Sequence, residues 1–375
     1  MLKIFYLTLL IGPTLAAPAP QSVIEALTSV QITTSAGQAS GFQLTFALSN
    51  KSQLNRVLIP SGYFDPKTRA IIVVTINGIP NVVMDGVITR HDIAPSNELG
   101  QSTFTVTGQD ISLILDLEEK TEIYPAMPDI ARVLRIISRA EYTVYGLLPK
   151  VIPPLSLNVT TPLEKIPTQT STDLEYLKLL ANDNGYVFYI EPGPAPGTNT
   201  AYWGPEIRAG APQSALSINM DAHTNVESLS FSFDGLARKQ LAIAIQEPTT
   251  KLGISIPLPD ITLLRPPLAA KQAPALRIER LKDVAKENPI RAASLGLSRA
   301  SESAEAVTGS GSLDVLRYGR ILQARGVVGV RGAGTAYDGL YYVKSVTHNI
   351  KPGEYKQSFT LSRNGLISLT PKVPV

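Results

Sequence analysis

The chain has 375 residues, 44% of them hydrophobic but only 17% charged, against about 25% in an average globular protein. Zero cysteine excludes a disulfide scaffold, a thiolate metal or iron–sulfur site and a thiol nucleophile, and three separated histidines (His91, His223, His348) leave little for another transition metal. A net charge of +3 is too mild to imply nucleic acid, and no apolar run approaches the roughly 20 residues of a membrane span.

This length suggests two or three domains, each with its own core. Low charge with a mean hydropathy of +0.09 favours a subunit whose surface partners cover.

Residues 1–20 admit two readings. Lys3, the apolar run Ile4 to Ile11 and the small residues Ala16, Ala17 and Ala19 have the plan of a secretory leader. The same run, rich in Ile, Phe, Tyr and Leu and stopped by Gly12-Pro13, also reads as a first β-strand. The sequons at Asn50 and Asn158 decide nothing, because such triplets arise often by chance.

Residues 28–107 then read as antiparallel β. Gly41 to Phe46 alternates, Ala70 to Ile76 is a buried strand, Asn77-Gly78 turns the chain and Val82 to Thr89 returns it. Phe104 and Val106 alternate with threonines, and Asp110 caps a short helix carrying Ile111, Ile114 and Leu115.

From 118 to 212 the pattern is α+β. Pro128-Asp129 opens a helix with Ile130, Val133, Leu134 and Ile137 on one face. Thr172 and Glu175 form a capping box for a helix bearing Leu174, Leu177 and Leu180, closed by Asn184-Gly185 and followed by the strand Tyr186 to Ile190.

Near 213 the β pattern returns, with Ser228 to Phe233 alternating. Residues 265–312 break it with eight Lys/Arg and five Asp/Glu, reading as a solvated insertion with one amphipathic helix (Ile278, Leu281, Val284, Ala285). Ser312 is expected to cap a helix with Val315, Tyr318 and Leu322, stopped by Gly326. Three strands follow, Val327 to Arg331, Leu340 to Thr347 and Tyr355 to Ser362, with Asp338-Gly339 as a hairpin signal.

Candidate chemistry is sparse. Gly329 to Gly334 lacks the Gly-Lys-Ser/Thr of a phosphate loop and reads as a turn. His91-Asp92 has no serine elbow to serve, so His91 reads as a loop histidine. His348 alternates with Tyr342, Lys344 and Val346 and reads as strand packing. Glu118-Glu119 need not converge on one substrate, and Asp173 with Glu175 suits a helix's first turn. Trp203, in Tyr202-Trp203-Gly204-Pro205, reads as fixing a turn rather than binding a sugar. No catalytic, cofactor-binding or metal residue is assigned, and no enzymatic activity is expected.

Five stretches, in this order, resemble the phage late control D family, the central hub of contractile-tail baseplates, and the N-terminal part of VgrG spike proteins. They are Leu7 to Pro13, Ser40 to Phe46, Thr172 to Gly193, Trp203 to Pro205 leading into Ala215 to Asp234, and Ala324 to Gly365.

The resemblance implies a mainly β fold with α+β inserts: two tail-tube-like β-barrel domains, each with an inserted smaller domain. The first barrel would be 1–117, its α+β insert 118–212, and the second, split barrel 213–250 plus 312–375. A Pro/Ala/Ser-rich charged insert would occupy 251–311.

It also implies a structural role as a homotrimeric ring of pseudo-sixfold symmetry, joining the hexameric inner-tube (tail tube) protein to a trimeric spike, with other baseplate subunits around it. Residues 1–20 would then be retained as a barrel strand and the spike would be a separate subunit. The chain would assemble in the cytoplasm into a virion or injection-system particle, without nucleic-acid binding or a membrane span.

Two rival readings are a secreted β-rich surface or adhesion protein with a cleaved signal peptide, and a cell-wall hydrolase. Under the hub reading, strands in 70–89 and 340–347 would form ring walls, and a charge at Val74 or Tyr342 should abolish assembly. Normal particles from either variant would count against that placement.

Overall fold

The alternation in Gly41–Ala47 buries Phe42, Leu44 and Phe46 and leaves Gln43 in water, as a strand with one covered face requires. Ten further strands continue that ladder. The computed structural model describes residues 5–98, 100–154, 166–246, 253–257, 266–281 and 305–370.

In spatial order the ladder runs Val226–Phe233, Val307–Asp314, Glu354–Arg363, Gly339–Lys351, Leu27–Ser35, Gly41–Ala47, Thr103–Asp110 and Ile79–Ala94. It continues through Arg69–Ile76 and Phe5–Gly12 to Ala17–Pro18. Every neighbouring pair is antiparallel. Val327–Arg331 pairs with the start of Gly339–Lys351, and Gln213–Ser217 pairs parallel to it, completing a sheet of 13 strands.

The apolar run at the amino terminus is a strand, paired along its length with Arg69–Ile76 and burying Leu9 and Ile11. Asn77 and Gly78 both take positive φ, the requirement of a tight hairpin.

Two barrels are expected from the resemblance. Among the described residues the strands instead form one open sheet, and neither half closes on itself. The reason is the central joint. Leu27–Ser35 gives its outer edge to Gly339–Lys351, pairing Val30 with Ile350 and Ser35 with Ser345.

One hydrophobic core consequently draws on both halves, from Leu9, Ile32, Phe46 and Ile72 to Leu216, Val328, Val346 and Leu361. Val74 and Tyr342, expected on ring walls, are buried inside the subunit. A charge at either position would oppose folding before it could report on assembly.

A second core lies beneath residues 111–203. Helices Asp129–Ile137 and Asp173–Asp183 cover it, with a three-stranded sheet of Val187–Pro192, Asn199–Gly204 and Leu147–Val151. Thr172 Oγ1 accepts from the Glu175 amide at 3.2 Å, as the capping box requires, and Gly185 ends the turn at positive φ. The stripe on Asp129–Ile137 is rotated from expectation, since Ile136 is buried and Leu134 is not.

Three other expectations are corrected. The helix assigned to Ile278 and Leu281 is a strand, Arg277–Leu281, beside Lys239–Gln246, while Val284 and Ala285 lie outside the described residues. Ser312 is held in Val307–Asp314, so Asp314 caps the next helix, Val315–Tyr318, by accepting from the Arg317 amide at 2.9 Å. Gly319, left-handed at φ 83°, stops that helix well before Gly326. Trp203 lies within a strand rather than a turn.

A buried ion pair ties the second core to the first. Arg69 grips Asp85 with two bonds of 2.8 and 2.7 Å, and also donates to the carbonyls of Thr14 and Tyr145. Asn199 donates to Asp85 and to the Tyr145 carbonyl. Both ionic side chains are almost fully out of water (2% and 0% exposed). Removing one partner leaves an uncompensated buried charge. Asp85→Ala should therefore cost about 3–5 kcal/mol. Adding Arg69→Met to it should cost clearly less than the two single losses summed. Urea unfolding of the four variants measures both.

Candidate functional site

The residues with chemical potential are dispersed rather than convergent. Asp92 is exposed and pairs with Arg90, while the His91 ring packs at 5.5 Å from Phe104, so the two form no oriented base. His91 lies in the strand Ile79–Ala94, not in a loop. Glu118 and Glu119 are exposed at the start of the Glu119–Ile123 strand. Trp203 is fully buried, edge-on to Tyr186 at 4.9 Å, and available to no sugar.

Gly332, at φ 83°, lies so close to the Ile218 carbonyl that a Cβ would fall 1.8 Å from its oxygen. Asp338 caps the same turn by accepting from the Ala333 amide at 2.8 Å, which accounts for the glycine-rich run without a phosphate.

Asp173 sits in more than a helix's first turn. It is fully buried and accepts from Tyr142 Oη at 2.5 Å and Gln169 Nε2 at 2.8 Å, with Arg139 at 3.0 Å and Lys120 at 3.2 Å. Burial first, and then Asp173, push the Tyr142 hydroxyl far above its ordinary value, while Tyr124 beside it is pushed up to about 12, chiefly by burial. The cluster welds Glu119–Ile123 and Thr168–Thr172 to the short helix Ala140–Thr143, with Arg139 at its start, and to Asp173–Asp183. Its residues lie up to 53 positions apart, and no local pattern announces it. Among the described residues no three His, Asp or Glu gather as a metal site, and no helix is long and apolar enough to cross a membrane.

What the fold does present, among the described residues, is several free strand edges, two of which bound an eight-strand stretch of the ladder. Val226–Phe233 pairs with Val307–Asp314 on one side and, among the described residues, with nothing on the other. Ile79–Ala94 is held on both sides only to about Ile88. From Thr89 onward it keeps its Thr103–Thr107 partner and has no strand opposite. Eight strands separate and include these edges, joined by seven antiparallel steps, so the edges run in opposite directions.

One face of these eight strands covers the main core. The other is exposed and carries short neutral side chains: Ser228, Ser230, Thr308, Ser310, Ser358, Thr347, Thr33, Gln31, Gln43 and Thr105. Many of these groups bond across the strands, including Ser228 to Ser312 (2.9 Å), Ser230 to Ser310 (3.0 Å), Thr33 to Thr347 (3.1 Å) and Gln31 to Asn349 (3.3 Å). Charged groups share this face: Arg90 pairs with Asp92, and Lys356 pairs with both Glu227 (2.8 Å) and Glu354 (3.3 Å).

A bulge between Val343 and Ser345 reverses the alternation of Gly339–Lys351. His348 therefore joins Val346 on the core side, whereas Tyr342 turns toward Glu206 (3.1 Å) and lies under Arg208 (4.7 Å), not alongside them as alternation implied. Tyr355 Oη meets His348 Nδ1 at 2.6 Å, and Gln357 lies 3.5 Å away. Burial pushes the imidazole down to about 4.

The folded chain thus keeps His348 neutral where the unfolded chain protonates below about pH 6.5. Its contribution is complete above that pH and is lost as pH falls toward 4, to about 3 kcal/mol. Stability measured from pH 7 to 4 should fall less steeply in His348→Asn than in the parent.

No protein-family model matches the chain, and no curated protein matches its sequence. Solved structures share its fold. A tail protein of Neisseria meningitidis superposes with a TM-score of 0.62 at 14% identity, over 97% of this chain and 98% of that one. A 43 kDa tail protein of prophage MuSo2 from Shewanella oneidensis gives 0.62 at 15% identity, over 96% and 99%. An Escherichia coli component of the type VI secretion system, which exhibits structural similarity to the T4 bacteriophage tail proteins gp27 and gp5, gives 0.54 at 10% identity, over 93% and 78%. The fold is therefore that of phage tail proteins and their secretion-system counterparts, as the sequence resemblance anticipated.

Proposed function

We propose that this protein is a structural baseplate hub: three copies close a ring that joins a hexameric inner tube to a trimeric spike, in a contractile phage tail or contractile injection system. The observation that carries the reading is the pair of oppositely directed free edges, Val226–Phe233 and the Thr89–Ala94 end of Ile79–Ala94, that bound eight of the ladder's eleven strands. Edge-to-edge pairing between copies would be antiparallel, like every pairing within the ladder, and a closed ring removes exposed edges altogether.

Each half of the chain supplies four of the eight strands. Val226–Phe233, Val307–Asp314, Glu354–Arg363 and Gly339–Lys351 come from the carboxy-terminal half, and Leu27–Ser35, Gly41–Ala47, Thr103–Asp110 and Ile79–Ala94 from the other. Three copies then present six similar four-stranded units, which is how a threefold object meets a sixfold one.

On this reading the tube-like units are 1–117 and 213–250 plus the carboxy-terminal segment, whose start moves from 312 to 307 because Val307–Asp314 is a ladder strand, and the intervening inserts face the remaining baseplate subunits. The role is mechanical coupling without turnover. A secreted adhesion protein is the poorer reading, because removing 16 to 19 residues would strip the Phe5–Gly12 strand and open the core at Leu9 and Ile11.

Native mass spectrometry of the full chain is expected to give trimers, alone or with a copurified spike. Ser228→Glu with Ser232→Glu places charge on the free edge, as natural edges are blunted, and should leave a folded monomer that no longer trimerises. A monomeric parent under assembly conditions, or trimers of the charged variant, would count against the reading.

A further inference from the structure

The strands of the amino-terminal half, from Leu27–Ser35 across to Phe5–Gly12, stop short of closing on themselves. The central joint is the reason. From Val30 onward the outer edge of Leu27–Ser35 belongs to Gly339–Lys351, which leaves only Leu27–Ser29 without a strand on that side. Phe5–Gly12 pairs with Arg69–Ile76 along its whole length. Its other edge meets Ala17–Pro18 at Leu10 and Ile11, and the Leu9 carbonyl accepts from the Ala19 amide. Among the described residues nothing takes the outward backbone groups of Phe5–Thr8.

These two open edges line one groove of about 490 Å³. Phe5, Leu7, Ile24, Leu27, Val30 and Ile350 make its wall largely apolar. Lys351 stands exposed at the rim. Glu354 lies opposite it in the hairpin but pairs with Lys356, so among the described residues no anion holds Lys351. The volume falls within the range of about 300–1,000 Å³ typical of ligand sites. The open edge of about four residues is roughly 13 Å long at about 3.3 Å per residue. A docked helix would leave that edge unpaired, because a helix spends its backbone groups internally. An extended chain continues the ladder and drops every second side chain into the apolar wall.

We infer that the groove between Phe5–Thr8 and Leu27–Ser29 is a docking site for an extended segment of a partner protein, which adds as a strand to Phe5–Thr8. The segment carries apolar residues at alternate positions and a carboxylate placed against Lys351. Docking also covers a bare edge beside an apolar surface, a combination that otherwise invites aggregation. The inference uses neither of the edges assigned to the ring and does not depend on it.

A displayed library of random octapeptides, selected against the full-length protein, is the probe. Recovered peptides should alternate apolar and polar residues, carry Asp or Glu at one fixed position and, once bound, slow amide exchange in Phe5–Thr8. Proline at a position that donates to the ladder should abolish their binding. Lys351→Ser should weaken them about fivefold at low salt and less as salt rises. Selection against Lys351→Glu should return Lys or Arg at the fixed position.

An empty selection, or peptides that lack alternation or protect another surface, would overturn the site. Alternating peptides indifferent to both Lys351 variants would overturn the assigned carboxylate. Trimers that dissociate in native mass spectra as a recovered peptide is added would show the groove filled by a second copy, and the partner assignment would fail. A monomeric parent that still selects such peptides would overturn the ring alone.

Discussion

The pairing of Val30–Ser35 with Ser345–Ile350 is the constraint on which the rest depends. It brings together segments more than 300 residues apart, at an entropic cost that no local contact offsets, and its return is a single core spanning both halves. Without it the strands on each side would form separate ladders, each with one more edge exposed to water. With it, Val226–Phe233 and the Thr89–Ala94 end of Ile79–Ala94 lie seven antiparallel steps apart on one ladder and run in opposite directions. The geometry that suits a ring is therefore a consequence of this internal joint.

The sparse charge of the chain is spent unevenly. Arg69, Asp85 and Asn199 fasten the second core to the sheet, and Lys120, Arg139 and Asp173 hold that core together. Arg208, Glu206, Glu305 and Lys344 bridge neighbouring segments elsewhere. Ion pairs this deep recover little net free energy, because desolvation opposes the attraction. Their geometry does admit only one relative placement of the segments they join.

Many of the strands and turns were legible because they rest on local signals. The alternation in Gly41–Phe46, the Asn77-Gly78 turn and the Thr172–Glu175 box each operate within a few residues. What the sequence concealed was non-local or one residue out of step. The bulge between Val343 and Ser345 reverses which residues of one strand face the core, and nothing in its composition marks it. Ser312 looked like a cap until two flanking strands claimed it, leaving the task to Asp314. Asp173 suited a helix terminus, yet its partners Lys120 and Gln169 are supplied by two other strands. Candidate wall residues such as Val74 read correctly as strand and wrongly as surface, since the run Ala70–Val74 is buried on both faces. The free edges follow from the whole topology and have no sequence signature of their own.

Amide hydrogen exchange, followed by mass spectrometry on assembled particles and on the isolated subunit, addresses the central claim most directly. If copies pair through their edges, the outward-pointing amides in Thr89–Ala94 and Val226–Phe233, which have no strand opposite, exchange freely in the subunit and are slowed together on assembly, while loops away from the edges change little. Assembled particles in which both edges exchange as fast as in the free subunit would contradict it.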